Sequence, residues 1–354
     1  MRAKLGDIFE ISSGGTPSKS HPEYYGGDIP WVKTGDLKKE YLYEVEDFIT
    51  EEGLKNSSAK MYESDTVLIA MYGATIGATS ILKMNACTNQ ACAAFKKNEQ
   101  VIPEYLYYFL RSQKDKFVKD GVGGAQPNIS AGYLKKVEME LPSIDEQRII
   151  VNILDKISNI IVNRNQEMIS LDDLIKARFV EMFGDPIINS KQLETKALRA
   201  VLILKAGDFT AASDISDEQT SSKPYPCYGG NGIRGYVAQY NQEGEYSIVG
   251  RQGALSGNVQ FARGKFKNTE HALLVTPIIE MNNIWLNQLL VNLDLKRYQT
   301  GAAQPGLSVK NLQEIPIIMV PIEKQNRFAD FVQAIDKSKL QYHPHTHTCQ
   351  PNTS

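Results

Sequence analysis

The sequence predicts an α+β fold in which two pseudo-repeated, mixed α/β domains are separated by long coiled-coil helices. Three observations support this prediction. One phrase occurs twice about 178 residues apart, each copy lies among short strand patterns with a few helical ones, and a heptad pattern runs between the copies. A duplication of this length is typical of one independently folding module that is used twice.

The repeat consists of several matching segments in the same order. Residues 124–130 read Gly-Ala-Gln-Pro-Asn-Ile-Ser, and residues 302–308 read Ala-Ala-Gln-Pro-Gly-Leu-Ser. Further matching pairs are 70–77 with 250–257 and 88–91 with 269–272. The opening stretches of the two copies share only a glycine-rich and aromatic-rich character. We therefore expect one skeleton that carries two different sets of recognition residues.

Each copy of the repeat contains strand and helix patterns. Residues 66–70 and 246–250 are short apolar runs followed by glycine turns, which predicts buried strands. Residues 103–119 and 282–297 have apolar residues at steps of three and four, which predicts helices. Each domain is therefore expected to be mixed.

A long helix is predicted between the copies, at residues 143–183. Ser143 and Glu146 form a capping-box sequence at its start, and Gly184 followed by Pro186 ends it. About 40 residues at 1.5 Å each make a rod of roughly 60 Å. The coiled-coil seam of the heptad pattern consists of Ile150, Leu154, Ile157, Ile161, Arg164, Met168, Leu171, Ile175, Arg178 and Met182. For the two arginines, stems that lie along the apolar stripe are favoured over a role in setting register.

A rod with one apolar stripe needs a partner helix, and the segment after the second copy supplies one. Residues 322–340 carry Phe328, Val332 and Ile335 at helical spacing, but this helix is under half as long as the first. The last residues are polar and contain proline, so we expect an irregular, disordered tail. The predicted domains are thus 1–142, 143–184, 185–321, 322–340 and 341–354.

The composition predicts the cellular compartment of the protein but says little about its function. The chain has 354 residues and a formal charge of −2, so bulk charge neither supports nor excludes a nucleic-acid partner. The four cysteines form neither a zinc pattern nor a disulfide pattern, which predicts a reducing, cytoplasmic setting. No signal peptide and no membrane-spanning run are expected.

No segment of the sequence predicts catalysis, and we expect no catalytic residue, cofactor site or metal site. Residues 230–235 match the letters of the dinucleotide fingerprint, but they follow a turn-like segment and lack a downstream carboxylate, so a loop is favoured. The P-loop and amino-methyltransferase signatures are absent from the sequence. His343, His345 and His347 could chelate a metal ion, although an incidental tail is favoured.

Several loops combine cationic or amide side chains with aromatic neighbours, which suits contact with nucleic acid. Arg and Gln can read guanine and adenine edges by paired hydrogen bonds, and Lys can hold phosphates. Each such residue taken alone is more often solvated than bound to DNA. The candidate DNA-binding residues are Lys33, Thr34, Arg234, Arg251, Gln252, Lys265 and Lys267.

A set of short motifs runs through most of the chain. They are Gly14-Gly15-Thr16-Pro17-Ser18, Asp28-Ile29-Pro30-Trp31-Val32-Lys33-Thr34-Gly35-Asp36-Leu37, Thr88-Asn89-Gln90, Gln126-Pro127-Asn128-Ile129-Ser130, Glu181-Met182-Phe183-Gly184-Asp185-Pro186, Arg251-Gln252-Gly253-Ala254 and Thr269-Glu270-His271-Ala272. In combination, and over about residues 1–340, they resemble the specificity subunit of type I restriction-modification systems.

The resemblance implies that each repeat is a target-recognition domain that reads one half of a split double-stranded DNA sequence. It implies that the helices after the two domains pair antiparallel, fix the distance between the domains and dock two modification subunits. The implied pairing and docking residues are Ile150, Leu154, Ile157, Ile161, Met168, Leu171, Ile175, Met182, Phe328, Val332 and Ile335. S-adenosylmethionine, ATP and Mg are implied only for partners, namely the modification subunits and a restriction (motor-nuclease) subunit.

The short second helix departs from the family pattern, in which the second helix rivals the first in length. The departure suggests a truncated or silent variant whose first helix keeps an unpaired apolar stripe. From a different class, a non-catalytic scaffold that binds proteins or glycans stays open as an alternative. A hydrolase finds no support, because the sequence offers no convergent acid–base pair.

Overall fold

The computed structural model describes residues 1–122, 128–253, 255–301 and 306–342. Most of the repeated phrase (124–127 and 302–305) and the three tail histidines therefore lie outside the described residues, as does the predicted tail from residue 343 onward. The chain divides into two compact units, Met1–Val162 (unit 1) and Asn163–Ser354 (unit 2). Each unit combines sheets with helices, which confirms the predicted α+β organisation.

Unit 1 consists of short strands with a few short helices among them. Its strands are β1 (Arg2–Lys4), β2 (Ile11–Ser13), β3 (Tyr25–Val32), β4 (Tyr41–Leu42), β5 (Phe48–Ile49), β6 (Met61–Tyr62), β7 (Val67–Ala70), β8 (Thr79–Leu82), β9 (Ala86–Thr88), β10 (Cys92–Phe95) and β11 (Glu138–Glu140). Its short helices are α1 (Leu5–Ile8), α2 (Glu51–Lys55), α3 (Pro103–Ser112), α4 (Lys114–Asp120) and α5 (Ala131–Leu134). The helix predicted at 103–119 is thus divided at Gln113.

A long helix and the elements of unit 2 follow. The helix α6 (Ile144–Phe183) starts in unit 1 and ends in unit 2. The strands of unit 2 are β12 (Thr195–Ala197), β13 (Leu202–Ala206), β14 (Tyr225–Gly229), β15 (Gly232–Val237), β16 (Gln242–Gly250), β17 (Val259–Asn268), β18 (Ala272–Pro277) and β19 (Pro316–Ile318). Its helices are α7 (Asn283–Asn292), α8 (Val309–Gln313) and α9 (Ile322–Tyr342).

The two units share a sheet of the same strand order. In unit 1 the order is β2-β10-β7-β8, extended by β4, and a second sheet has the order β5-β3-β9-β6. In unit 2 the order is β13-β18-β16-β17, extended by β14 and β15. A small antiparallel pair closes each unit, β1 with β11 and β12 with β19. The duplication seen in the sequence is therefore a duplication of topology, and the additions to each common sheet differ.

The predicted strands at 66–70 and 246–250 are confirmed as β7 and the end of β16. Both are buried along their apolar runs and lie inside the common sheet. Apolar side chains from both faces of these sheets form the core of each unit, with Phe95 and Phe117 buried in unit 1 and Trp285 in unit 2. No helix among the described residues is both long and apolar enough to cross a lipid bilayer.

Both ends of α6 follow the local signals of the sequence. Ser143 and Glu146 form the predicted capping box: the Glu146 carboxylate accepts from Ser143 N at 2.8 Å, and Glu146 N donates to Ser143 Oγ at 3.4 Å. The hydrogen bonds that the Ser143 hydroxyl and the Ser143 backbone N donate to the carboxylate lower the pKa of Glu146. Gly184 ends the helix with φ of +80°, a conformation that glycine adopts without strain.

Candidate nucleic-acid interface

A glycine turn after β7 connects three segments of unit 1. Met71 N donates to Ala91 O at 2.8 Å, and Ile129 N donates to Met71 O at 3.0 Å. Gly73 and Gly77 adopt φ of +62° and +80°, which residues with side chains rarely adopt. The turn is thus held on one side by the segment after β9 and on the other by the segment that leads into α5.

The turn after β16 in unit 2 has the same hydrogen bonds. Arg251 N donates to His271 O at 2.9 Å, and Leu307 N donates to Arg251 O at 2.8 Å. Gly253 and Gly257 adopt φ of +84° and +86°. The backbone of this region is therefore equivalent in the two units, and each turn adjoins the segment that contains the repeated phrase.

The side chains that the two turns present are different. Tyr72 in unit 1 is 44% exposed. The equivalent position of unit 2 is Gln252, which is exposed beside the half-buried Arg251. In the major groove of a duplex, an exposed aromatic ring can make apolar contact with a thymine methyl group, whereas Arg and Gln can read base edges by hydrogen bonds. Tyr72 was not among the predicted residues, although its match with Gln252 in the repeat could have identified it.

A chain of polar contacts holds Gln252. Its Oε1 lies 2.6 Å from His271 Nδ1, and His271 Nε2 lies 3.0 Å from Glu270 Oε1. The amide nitrogen of Gln252 has no partner among the described residues, so this face of the amide can hydrogen-bond to another molecule. The contact with His271 reduces the side-chain freedom that binding would otherwise remove.

Arg234 lies on a hairpin next to this turn. The hairpin joins β14 to β15, and a Cβ built on its residue Gly230 would lie 3.1 Å from Gln252 O. The Arg234 stem covers Gly229, because a Cβ there would lie 2.4 Å from Arg234 Cδ. The Arg234 side chain is exposed and forms no ion pair within the described part of the chain. The structure thus brings Arg234, Arg251 and Gln252 to one hairpin and the turn beside it.

The same hairpin excludes a dinucleotide site at residues 230–235. A dinucleotide fingerprint requires a strand, a glycine turn and then a helix whose N-terminus faces the pyrophosphate. Here the segment forms the hairpin turn and then β15, which pairs antiparallel with β14. The prediction of a loop is therefore correct only for the turn, and the rest of the segment is a strand.

Lys265 and Lys267 lie on the exposed face of β17, where both are paired with carboxylates. Lys265 Nζ lies 4.0 Å from Glu243 and 4.9 Å from the centre of the Tyr240 ring, and the charge of Glu243 raises the pKa of Lys265. Lys267 Nζ lies 3.2 Å from Asp208 Oδ2. A DNA phosphate would have to compete with these carboxylates for the two ammonium groups.

Lys33 of unit 1 is also paired. It forms an ion pair with Asp47, and its ammonium lies 5.7 Å from the centre of the Trp31 ring. Trp31 is itself fixed by a hydrogen bond from its Nε1 to Gly15 O at 3.1 Å. Thr34 next to it is half-buried at the start of a short 3-10 turn. These two candidates belong to one fixed loop of unit 1.

The C-terminal part of α6 packs against α9 inside unit 2. Phe328 of α9 lies 5.5 Å from Phe179 and 5.7 Å from Phe183, measured between ring centres. Lys339 at the far end of α9 pairs with Asp172, 2.5 Å away, so the two segments run antiparallel. Of the predicted seam residues, those in this cluster are Leu171, Ile175, Met182, Phe328, Val332 and Ile335. Met168 and Arg164 are half-buried just ahead of it.

The N-terminal part of α6 belongs to unit 1 and is less covered. Ile150 and Leu154 are half-buried, whereas Ile157 is 48% exposed and Ile161 is 55% exposed. Tyr108 of α3 donates to Asp155 at 2.6 Å, so α3 contacts α6 through polar groups as well. The predicted apolar stripe is thus buried in one part of the helix and exposed in another.

Reactive and metal-binding groups are few among the described residues. There, no group of three or more His, Cys, Asp or Glu side chains could hold a metal ion. Cys87, Cys92 and Cys227 are buried, and burial raises the pKa of Cys87 and of Cys92 to about 12. These thiols are therefore protonated at neutral pH and are poor nucleophiles.

Sequence reasoning missed one cationic feature. Arg199, Arg297 and Lys310 line a surface cleft of about 690 Å³ in unit 2. Up to 111 residues separate them along the chain, from 199 to 310, so no local pattern signals their proximity.

Comparison with known proteins identifies related sequences over most of the chain. A family model described as the type I restriction modification DNA specificity domain matches residues 1–171 and 192–345. The specificity subunit of the type I restriction enzyme EcoprrI from Escherichia coli is 30% identical over 348 residues, which are 94% of this chain and 86% of that subunit. The MjaIX specificity subunit of Methanocaldococcus jannaschii is 34% identical over 187 residues, 51% of this chain and 43% of that subunit.

Solved structures resemble most of the chain in fold. A type I restriction-modification S subunit from M. genitalium superposes with a TM-score of 0.54 at 18% identity, covering 97% of this chain and 91% of that one. A chain from a study of complex assembly and conformational transition in the type I R-M system gives a TM-score of 0.58 at 15% identity, covering 97% and 92%.

Proposed function

We propose, from the premise that this chain belongs to the type I restriction-modification DNA specificity family, that it recognises a split DNA sequence with one half-site for each unit. Members of this family are specificity subunits without catalytic activity, and this chain is one of them. Methylation and cleavage are functions of the partner subunits. The chain therefore determines which DNA sequence the complex binds.

One observation carries the assignment of one half-site to each unit. The turns after β7 and β16 have equivalent hydrogen bonds, yet one presents Tyr72 and the other presents Arg251 and Gln252. Equivalent backbones place equivalent positions against a duplex, while different side chains at those positions select different bases. Two domains that recognise different half-sites in the same way require such equivalent backbones with different exposed side chains.

The helix α6 suits the role of a spacer between the readers. It is continuous over 40 residues, which corresponds to roughly 60 Å at 1.5 Å per residue. A helical spacer of fixed length would fix the number of base pairs between the half-sites, because the readers must meet the groove in register. We propose that α6 and α9 also dock two modification subunits, which would carry S-adenosylmethionine, and that a restriction subunit using ATP and Mg joins them.

The test is to express the full chain with its modification subunits and to map methylated adenines across the host genome. A split motif is expected. Arg251→Ala combined with Gln252→Ala should relax one half of the motif, and Tyr72→Ala should relax only the other half. Each variant is the control for the other. A continuous motif, or a variant that changes both halves together, would contradict the proposal.

A second candidate is a silent variant of the same subunit. The observation that favours it is the exposed part of the apolar stripe of α6, where Ile157 and Ile161 are 48% and 55% exposed and the neighbouring Ile153 is 53% exposed. A stripe of this kind fits a docking face that lacks its covering helix. The same experiment distinguishes the two, because a silent variant would form the complex with modification subunits and leave the genome unmethylated.

A further inference from the structure

The surface cleft of unit 2 gathers cationic side chains from three separate segments. Arg199 follows β12, Arg297 lies in the 3-10 turn after α7, and Lys310 lies in the first turn of α8. All three side chains are exposed at the cleft. The neutral polar residues Gln299 and Thr300 lie beside them. The cleft therefore offers several hydrogen-bond donors around a space of about 690 Å³.

The charge of the cleft is positive, and most of it is not compensated. Its lining holds three cations and one carboxylate, Glu314, so the formal sum is +3 − 1 = +2. Glu314 accepts from Arg199 at 2.9 Å. Arg297 and Lys310 form no ion pair within the described part of the chain. These two residues differ from Lys265 and Lys267, each of which already has a carboxylate partner.

The cleft is connected to the turn that presents Arg251 and Gln252. Leu307 N donates to Arg251 O at 2.8 Å, and Ser308 caps α8 by accepting from Asn311 N at 3.2 Å. Thr300 exchanges two backbone hydrogen bonds with Gly306, both of 2.9 Å. The segment that leads into α8 is thus hydrogen-bonded both to the base-reading turn and to the wall of the cleft.

Unit 1 has uncompensated cations near the corresponding short helix. Ser130 caps α5 by accepting from Tyr133 N at 3.1 Å, as Ser308 caps α8, so Lys135 and Lys136 correspond to Gln313 and Glu314. Both lysines are exposed and form no ion pair in the described residues. Exposed cations therefore lie near this short helix in both units, at positions that are not equivalent in the repeat.

We propose that the cleft is a phosphate-binding site that holds the duplex backbone while the adjacent turn of unit 2 reads bases; this inference rests on the proposed function. Arg297 and Lys310 donate to phosphate oxygens, since guanidinium and ammonium groups are the usual phosphate ligands. Contacts to phosphates fix the register of a protein on DNA and carry no sequence information. The cleft therefore contributes affinity, and the turn contributes specificity.

The experiment is to titrate the purified full chain with random-sequence duplex DNA over a range of KCl concentrations. Arg297→Ala combined with Lys310→Ala should weaken binding about tenfold at low salt and reduce the slope of log K against log[KCl] by about 2, since each phosphate contact contributes about 0.9. Lys324→Ala combined with Arg327→Ala is the matched control. It removes the same charge from exposed positions of α9 that do not line the cleft.

A second variant changes binding in the opposite direction. Glu314→Gln removes the carboxylate of the cleft and frees Arg199, so it should tighten DNA binding and increase the slope by about 1. A misfolded protein would not gain affinity. In the methylation assay with modification subunits, both cleft variants should keep the wild-type motif, because phosphate contacts do not select bases.

The outcomes separate the two proposals. Steep salt dependence of the wild-type chain, with cleft variants that behave like the α9 control, would overturn the phosphate site and leave the DNA-recognition function intact. A changed methylation motif in the Arg297 and Lys310 variant would also overturn it, since the cleft would then select bases. A wild-type chain that binds DNA without salt dependence would contradict the proposed function itself.

Discussion

In unit 1 the turn after β7 presents an aromatic side chain, and in unit 2 the equivalent turn presents a guanidinium and an amide. The backbone around them hardly differs, because the turns are closed by equivalent hydrogen bonds of 2.8 to 3.0 Å. Backbone hydrogen bonds depend little on side-chain identity, so an exposed side chain can change while they persist. The comparison shows how a duplicated domain can acquire a second specificity without a second fold.

Buried glutamines extend the equivalence beyond the turns. Gln147 is fully buried and accepts from Ile102 N at 3.0 Å, and Gln325 is 2% exposed and accepts from Asn282 N at 2.9 Å. Both also donate to a carbonyl just ahead of their own helix. Each glutamine thus joins the start of a long helix to the start of a shorter one, and burial of a polar side chain is tolerated because it is hydrogen-bonded.

The largest expected effect tests whether these glutamines are equivalent. Gln147→Met and Gln325→Met should each lower the free energy of unfolding of their own unit by about 3 kcal/mol, because backbone groups lose their partners. The two tryptophans, Trp31 and Trp285, lie in different units and allow separate measurement. Urea unfolding would be followed by fluorescence in Trp31→Phe and Trp285→Phe backgrounds.

The control for the glutamine pair is Gln166→Met, at an exposed position of α6. It should change the free energy of unfolding by less than about 0.5 kcal/mol. A large loss in one unit and none in the other would show that the hydrogen bonds of the two glutamines are equivalent in geometry but not in energy.

A somewhat smaller effect is expected at the glycines where each opening loop approaches the sheet. A Cβ on Gly14 would lie 2.0 Å from Thr88 O, and a Cβ on Gly207 would lie 2.0 Å from Asn268 O. Gly14→Ala and Gly207→Ala should each cost about 2 kcal/mol, since backbone must move to relieve the overlap. Gly35→Ala, which has open space around its Cβ, should be neutral in the same fluorescence-monitored unfolding. Wild-type stability in either glycine variant would mean that the loops can move freely.

The smallest effect on DNA affinity is expected at Lys267, which is paired with Asp208, whereas Arg297 and Lys310 form no ion pair among the described residues. Hydrogen bonds from Asn241 and Lys267 lower the pKa of Asp208, which therefore competes with phosphate as an anion. Asp208→Asn should free Lys267 and raise affinity for duplex DNA two- to threefold, because exposed ion pairs contribute less than about 1 kcal/mol. Asp217→Asn removes the same charge at an exposed position without an ion pair in the described residues. Equal gains from both variants would assign the effect to net charge alone.

The parts of the fold that sequence alone predicts are those that neighbouring residues determine. The capping box at Ser143 and the stop at Gly184 give α6 its bounds within one residue, because caps and glycine turns act over three or four residues. The duplication was also recognisable in the sequence, because the equivalent turns both place a glycine, Gly73 or Gly253, at a position with positive φ. The family assignment follows from the same motifs, and comparison with known proteins confirms it.

The seam of α6 shows where local pattern stops being sufficient. The heptad steps predicted Arg178 and Met182 on the contact line, whereas the side chains buried deepest near them are Phe179 and Phe183. Both rings contact Phe328, which follows Phe183 by 145 residues and Phe179 by 149 residues along the chain. The Phe328 ring of α9 thus determines which side of the apolar stripe is buried. The sequence of α6 by itself does not contain that information, because it does not show where the facing helix places its side chains.

The candidate DNA-binding residues divide in the same way. Residue type alone selected Lys33, Lys265 and Lys267, and the fold then supplied each with a carboxylate partner. The fold also assembled Arg199, Arg297 and Lys310, which no local pattern joins. Sequence determined the duplication, the long helix and the family, because each is recognised from short motifs of neighbouring residues. Tertiary structure alone decided which cations are free, since a charge is compensated by whatever the fold brings within about 4 Å of it.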